Sequence, residues 1–301
     1  MSVSTRAGRE VSHYRIEQLL GSGGMGDVYR AADLRLGRRV ALKFLRPLSD
    51  SAARQRLLRE AHSVSLLDHP NICTVFEIDE TPEGEVFVAM AYYDGETLDR
   101  ILARGPIGHR RALSIAIQAG RGLAAAHEEL IVHRDIKPAN LMITRHDMVK
   151  ILDFGLAKQL SDVTTTREDS IVGTVAYMAP EQLRGEGVDH RADIWSLGAV
   201  LHEMATGATP FGAQHLGSVV GAILSDEPFR ARNLPVDVPP TMARVLERAL
   251  AKNLRLRYER IDDMVQDLLE TRAAVDSEAV VRPSRALQAR SSIAVLPFQS
   301  R

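Results

Sequence analysis

The sequence predicts an α+β fold in two unequal lobes, a small β-rich one carrying a single key helix and a larger, mainly helical one. Two patterns and one size argument predict it. From Tyr14 to about Met90 the apolar residues fall mostly in short strand-like runs, and after Tyr93-Asp94-Gly95 they recur at helical spacing. With 301 residues, 45% of them hydrophobic, the chain is long enough to bury two cores.

Taken in order, residues 1–13 are polar and are expected to form a flexible N-terminus. Val40-Ala41-Leu42-Lys43-Phe44-Leu45 and Glu85-Val86-Phe87-Val88-Ala89-Met90 read as buried strands. Between them a helix is expected over about Ser51–Leu67. Leu57, Ala61 and Val64 share one face of it, Glu60 lies on the flank, and Asp68-His69-Pro70 ends it. In the second part, Arg110–Glu129 carries an apolar face through Leu113, Ile117, Leu123 and Ala124. Ala192–Ala205 is apolar on nearly every side and reads as a central buried helix; two more helices are expected over about Thr241–Ala251 and Ile261–Arg272. From Ala273 to Arg301 the composition shifts towards Ser, Arg, Ala and Val, which predicts a linker or tail. Its last run, Ser292 to Phe298, reads either as a strand opening a further domain or as a frayed end.

A formal net charge of −1 gives no reason to expect nucleic acid or an anionic membrane as the main partner. No apolar run approaches the ~20 residues of a membrane span, and Met1–Glu10 lacks the apolar region of a signal peptide. The expectation is a cytoplasmic chain without membrane insertion. Cys73 is the single cysteine, read as a small buried residue in a strand.

Three runs carry the chemistry. Gly21, Gly23 and Gly26 form G-x-G-x-x-G, a backbone that can approach phosphate oxygens closely. The motif alone is weak: it also opens dinucleotide-binding helices, and it can be a plain turn. Here Val28-Tyr29-Arg30-Ala31-Ala32 continues as a strand, and Lys43 stands where a ribose-binding acid would be expected, so a hairpin over phosphates fits better. Further on, His133-Arg134-Asp135-Ile136-Lys137-Pro138-Ala139-Asn140 and Asp153-Phe154-Gly155 supply two carboxylates, a lysine and a carboxamide within a short stretch. Those groups suit holding Mg²⁺ and a phosphoanhydride while a hydroxyl is positioned for attack. His127 and His133 are six apart, without the spacing of a zinc-binding helix, and His133 reads as a packed structural histidine.

These ordered motifs, from about Tyr14 to about Arg272, resemble the bacterial members of the eukaryotic-like serine/threonine protein kinases. The resemblance implies the bilobal kinase fold, with a domain over 14–272 divided into lobes 14–91 and 92–272. It implies ATP and Mg²⁺ as cofactors and protein Ser/Thr hydroxyls as acceptors. Leu20, Gly21, Ser22, Gly23, Gly24, Met25, Gly26, Val28, Ala41, Lys43, Met90 and Met142 would bind the nucleotide, with Met90 as gatekeeper. Lys43, on the third strand, would hold the phosphates and pair with Glu60. Asp135 would orient the acceptor hydroxyl, Lys137 would neutralise the phosphoryl group, and Asn140 and Asp153 would hold the metal.

The resemblance extends to support and regulation. Thr174 would bond both Asp135 and Lys137, Glu181 would pair with Arg257, and Asp193 would brace the catalytic-loop backbone. Lys137 and the run Gly173–Glu181 are of the serine/threonine type, and that run forms a peptide groove in relatives, which argues against a small-molecule acceptor. Residues 156–172 correspond to an activation segment, and autophosphorylation is expected at Thr166 or Thr165, with Arg134 gathering the phosphate. Relatives pair back to back through the small lobe; a homodimer for autophosphorylation is an expectation that no residue here marks. Ser292–Phe298 is similar to the start of a TolB-like domain that follows some bacterial kinases. The alternative to an active enzyme is a catalytically silent nucleotide-binding scaffold, which would be expected to lack one of Lys43, Glu60, Asp135, Asn140 or Asp153; all are present.

Overall fold

The computed structural model describes residues 6–23, 26–46, 63–154, 173–212, 215–231 and 234–287, with side chains described as far as Ser277. The first lobe is an antiparallel sheet of six strands in the order β1-β2-β3-β4-β6-β5. These are β1 (Glu10–Val11), β2 (Tyr14–Gly23), β3 (Gly26–Asp33), β4 (Arg38–Leu45), β5 (Val75–Glu80) and β6 (Val86–Ala91).

Period-two alternation explains why β4 and β6 read as continuous apolar runs. Val40, Leu42 and Phe44 join Tyr14, Tyr29 and Phe87 in a core on one face. Ala41, Leu45, Val86, Val88 and Met90 form a second core on the other. Lys43 lies in register between Val28 of β3 and Val88 of β6, so alternation delivers its cation to the second face.

A Cβ at Gly26 would lie 1.8 Å from the Phe44 carbonyl oxygen, and its φ is +143°. No L side chain fits there without opening the β3–β4 pair. Gly26→Ala is therefore expected to cost about 1–3 kcal/mol of stability, read as a lower midpoint in thermal melting. An unchanged midpoint would mean that the hairpin relaxes freely.

The second lobe begins with β7 (Gly95–Thr97), which pairs with β8 (Leu141–Thr144) and, through it, β9 (Val149–Ile151) in a small three-stranded sheet. The helices are α1 (Leu98–Leu102), α2 (His109–Glu128), α3 (Pro180–Leu183), α4 (Arg191–Thr206), α5 (Leu216–Leu224), α6 (Pro240–Ala249) and α7 (Ile261–Leu287). α4 is the expected central helix: Ala192 through Leu201 and Met204 are all buried. α2 packs against α4 and α7, with Gly120 allowing close approach to Val265 and Leu197. A parallel bridge between Ile72 and Ile151 joins the lobes, flanked by hydrogen bonds from Ile151 N to Asn71 O (2.8 Å) and from Cys73 N to Ile151 O (2.9 Å).

Four expectations need correction. The N-terminal segment is ordered from residue 6 onward, because Arg6 makes a two-pronged ion pair with Glu85 (2.6 and 2.7 Å) and β1 pairs with β2. β1 also makes Lys43 a residue of the fourth strand. The last helix does not stop near Arg272 but runs to Leu287, held by Val275 against the large core and by an Arg110–Asp276 ion pair at 2.7 Å. Cys73 is buried but lies just before β5, outside any strand.

The expected helix over Ser51–Leu67 lies outside the described residues except for its last turn, where Val64 and Leu67 are buried. The expected Ser292–Phe298 strand also lies outside them. Among the described residues no helix is long and apolar enough to cross a membrane.

Candidate active site

The loop from His133 to Asn140 leaves α2 and feeds β8, and one carboxylate fixes its shape. Asp193, in the first turn of α4, is fully buried. It accepts hydrogen bonds from the backbone N–H groups of His133 and Arg134, each at 2.8 Å, and lies 2.8 Å from His127 Nε2. Burial pushes this carboxyl up, but the His127 contact, the nearby His133 and the backbone N–H groups outweigh it and hold the group below its ordinary value. The clamp maintains a left-handed backbone at Arg134, φ +66°, a conformation that non-glycine residues adopt only when their surroundings enforce it.

His133 is a structural residue. Its Nε2 meets the Leu152 carbonyl at 2.9 Å and its Nδ1 accepts from Asp135 N at 3.2 Å, which fixes one tautomer. Its ring also packs against buried Phe154, 4.6 Å between centroids. Asp135 thereby leaves the loop with its carboxylate held on two sides. Lys137 Nζ lies 2.8 Å from Oδ2 and 3.0 Å from Oδ1. The Asn140 side-chain NH₂ donates to the Asp135 carbonyl at 2.7 Å and to Oδ2 at 3.0 Å. Thr174 Oγ1 accepts from Lys137 at 3.3 Å. The expected Thr174–Asp135 bond is not formed: the Asp135 carboxylate is met by the Lys137 ammonium and the Asn140 amide, and Thr174 meets Lys137 alone among these.

Opposite this loop, Lys43 Nζ meets Asp153 Oδ1 at 2.8 Å, with the lysine side chain 3% exposed and the aspartate 21%. Burial pushes the Asp153 carboxyl up; Lys43, His133 and Lys137 outweigh it and keep the group below the usual carboxylate range. Asp153 sits at φ +59°, and Leu152 N donates to the Asn140 carbonyl at 2.9 Å, so the Asp153 and Asn140 segments are adjacent. Glu60, Gly24, Met25, Gly155 and residues 156–172 lie outside the described residues.

The glycine-rich run is a hairpin, with Gly21 opposite Val28, Ser22 opposite Asp27 and Gly23 opposite Gly26. Leu20, Val28, Ala41 and Met90 come together on the Lys43 face of the sheet. Met142 stands half-buried on β8, outside that cluster.

Asp153 and Asn140 offer a carboxylate and an amide oxygen, both hard donors. Among the described residues no group of three or more His, Cys, Asp or Glu could cage a metal. Two hard oxygen donors of this kind suit an ion such as Mg²⁺, which keeps most of its shell as water and phosphate oxygens.

The supporting contacts are mostly long-range. Arg257 grips Glu181 through two bonds of 2.7 and 3.2 Å. Gln182 donates to the Arg134 carbonyl at 2.9 Å and caps the Ala179 N–H at 2.9 Å, tying α3 to the loop. Tyr177 donates to Glu203 at 2.6 Å, and burial, with Asp99 nearby, raises the Glu203 carboxyl. Sequence reasoning missed His127 as a partner of Asp193, 66 positions away, and missed the Tyr177–Glu203 pair; neither has a local sequence signal.

A family model described as the protein kinase domain matches residues 14–272. The chain is 40% identical over 264 residues to the serine/threonine-protein kinase PknB of Mycolicibacterium smegmatis, covering 85% of this chain and 42% of that protein. It is 39% identical to the serine/threonine-protein kinase PrkC of Bacillus subtilis, covering 87% and 41%. To the serine/threonine-protein kinase pkn3 of Myxococcus xanthus it is 37% identical, covering 95% and 55%. The chain thus spans about half the length of these relatives.

Proposed function

Because this chain belongs to the protein kinase family, we propose that it transfers the γ-phosphoryl group of ATP to Ser or Thr hydroxyls of proteins, in bacterial signalling. The observation that carries the reading is the pair of facing constellations, Lys137–Asp135–Asn140 and Lys43–Asp153. Asp135 orients the acceptor hydroxyl and takes its proton. Lys137, anchored on Asp135 and Thr174, stands ready for the charge growing on the transferred group. Lys43 holds the phosphates at the face where Leu20, Val28, Ala41 and Met90 receive the adenine, and the hairpin from Gly21 to Gly26 covers them. Asn140 and Asp153 would hold Mg²⁺, which supplies charge neutralisation at the phosphate oxygens. The side chains do the rest by positioning.

Regulation follows from Arg134. Its Nε is buried without a hydrogen-bond partner among the described residues, an arrangement suited to an anion. A phosphate on Thr166 or Thr165 would supply one, ordering the activation segment. A cytoplasmic location and a homodimer that phosphorylates itself in trans complete the proposal. The kinase domain is taken as 14–272.

The test is phosphate transfer from labelled ATP with Mg²⁺, to the protein itself and to a generic basic substrate. Wild type is expected to label between Ser161 and Ser170 by peptide mapping, and Lys43→Met to label neither target. ATP binding without any transfer in the wild type would favour the silent-scaffold reading.

A further inference from the structure

A cavity of about 700 Å³ opens in the large lobe between α3, α5 and α6, away from the site described above. Its size falls within the usual range for ligand pockets. In a chain of formal net charge −1, its lining is cationic: Arg184, Arg244, Arg248 and Lys252 against Asp226 and Glu247.

These cations are poorly neutralised. Exposed Arg244 makes no hydrogen bond or ion pair among the described residues. Among the described residues Arg184 is ion-paired only with Glu186, at 3.9 Å. Arg248 stands 3.8 Å from Asp267 and stacks on Tyr258. Lys252 donates to Ala222 O, Ser225 O and Ser225 Oγ at 2.7, 2.9 and 3.1 Å, all uncharged oxygens. Burial lowers the Lys252 ammonium; Glu227 and Asp226 oppose that shift, and the Arg184 charge adds to it. Beside the charges the wall is apolar, through half-buried Phe229 and through Leu256, which is 68% exposed.

We propose that this pocket docks an acidic peptide segment of a protein substrate, one that carries an aliphatic side chain among its carboxylates. The proposal rests on the kinase reading and adds a recognition element remote from the acceptor residue. Charge complementarity selects the anion. The exposed leucine and the volume exceed what a lone phosphate would use, and an oligonucleotide has no aliphatic side chain for Leu256.

The probe is a fluorescein-labelled peptide of glutamates with two leucines, compared by anisotropy with its glutamine counterpart. Tighter binding of the acidic peptide is expected, falling about tenfold in Arg184→Glu/Arg244→Glu and less in Arg244→Ala. Both side chains are exposed, and unchanged circular-dichroism melting confirms that the variants fold. Fused to a serine substrate, the same segment should lower KM by a similar factor and leave kcat unchanged. The idea is overturned if the glutamine peptide binds equally, if the double variant binds undiminished, or if a single-stranded oligonucleotide binds the pocket more tightly. Anisotropy is read without ATP, so a failure of phosphoryl transfer counts against the kinase reading and leaves this readout standing.

Discussion

Replacing Asp135 by asparagine is expected to reduce phosphoryl transfer by about 10²–10⁴-fold, the range for a lost general base, with the fold intact. The substitution keeps the shape of the side chain. It still accepts from the Asn140 amide, now 3.0 Å from Oδ2, and the backbone carbonyl bond at 2.7 Å is untouched. What disappears is the negative charge. In the proposed mechanism the acceptor hydroxyl loses its proton acceptor, and Lys137 loses the anion that fixes its ammonium 2.8 Å away. Lys137 keeps Thr174 and is 19% exposed, so solvent can accommodate the change and the melting midpoint should move little. The KM for ATP should also hold, because the nucleotide contacts are proposed at Lys43 and Asp153. A decrease of less than tenfold, with peptide substrate saturating, would remove Asp135 from the role of base. Asp153→Asn makes the contrast. There the lost charge lies beside Lys43, and the proposed metal role predicts a higher Mg²⁺ requirement together with the lower rate.

The parts of this site legible in the sequence are those set by local spacing. Val40–Leu45 could be read as a buried strand because its apolar run is broken only by Lys43; that alternate residues serve different cores, and so deliver Lys43 to the second face, is seen only in the folded sheet. The single residue between Asp135 and Lys137, and the short stretch on to Asn140, let all three side chains meet. Other features depend on chain closure. His127 reaches Asp193 only because α2 lies along α4, and Tyr177 reaches Glu203 only because the 173–181 segment crosses the end of α4. The Thr174–Asp135 bond, carried over from the family pattern, is not formed; Thr174 meets Lys137 and not the carboxylate. The extension of α7 to Leu287 was missed for another reason. Its composition reads as a linker, and what holds it is Val275 against the large-lobe core and Asp276 against Arg110, neither visible in local pattern.

Arg257→Ala is expected to destabilise the protein by about 3–5 kcal/mol, the cost of leaving one partner of a buried ion pair uncompensated. The two side chains are 0% and 4% exposed, so water cannot replace the guanidinium. Arg257 also donates to the Ala251 carbonyl at 3.0 Å and the Arg191 carbonyl at 2.9 Å, and its guanidinium carbon lies 5.1 Å from the Trp195 ring centre. One truncation therefore strands a carboxylate and takes a donor from two carbonyls around the start of the central helix. Urea unfolding should show the loss as a lower midpoint at constant slope. A double change to Arg257→Met with Glu181→Met should recover part of it, since the charge is removed from both sides, but not all, since the Ala251 and Arg191 carbonyls still lose the Arg257 donor. The effect should also reach catalysis. Glu181 opens α3 at the end of the segment whose Thr174 steadies Lys137, and Gln182 on the next residue holds the Arg134 carbonyl. Well below its melting midpoint, the Arg257→Ala protein should transfer phosphate more slowly with little change in the KM for ATP. Full activity together with a loss of less than 1 kcal/mol would mean that solvent reaches Glu181 and that the pair does not organise the groove.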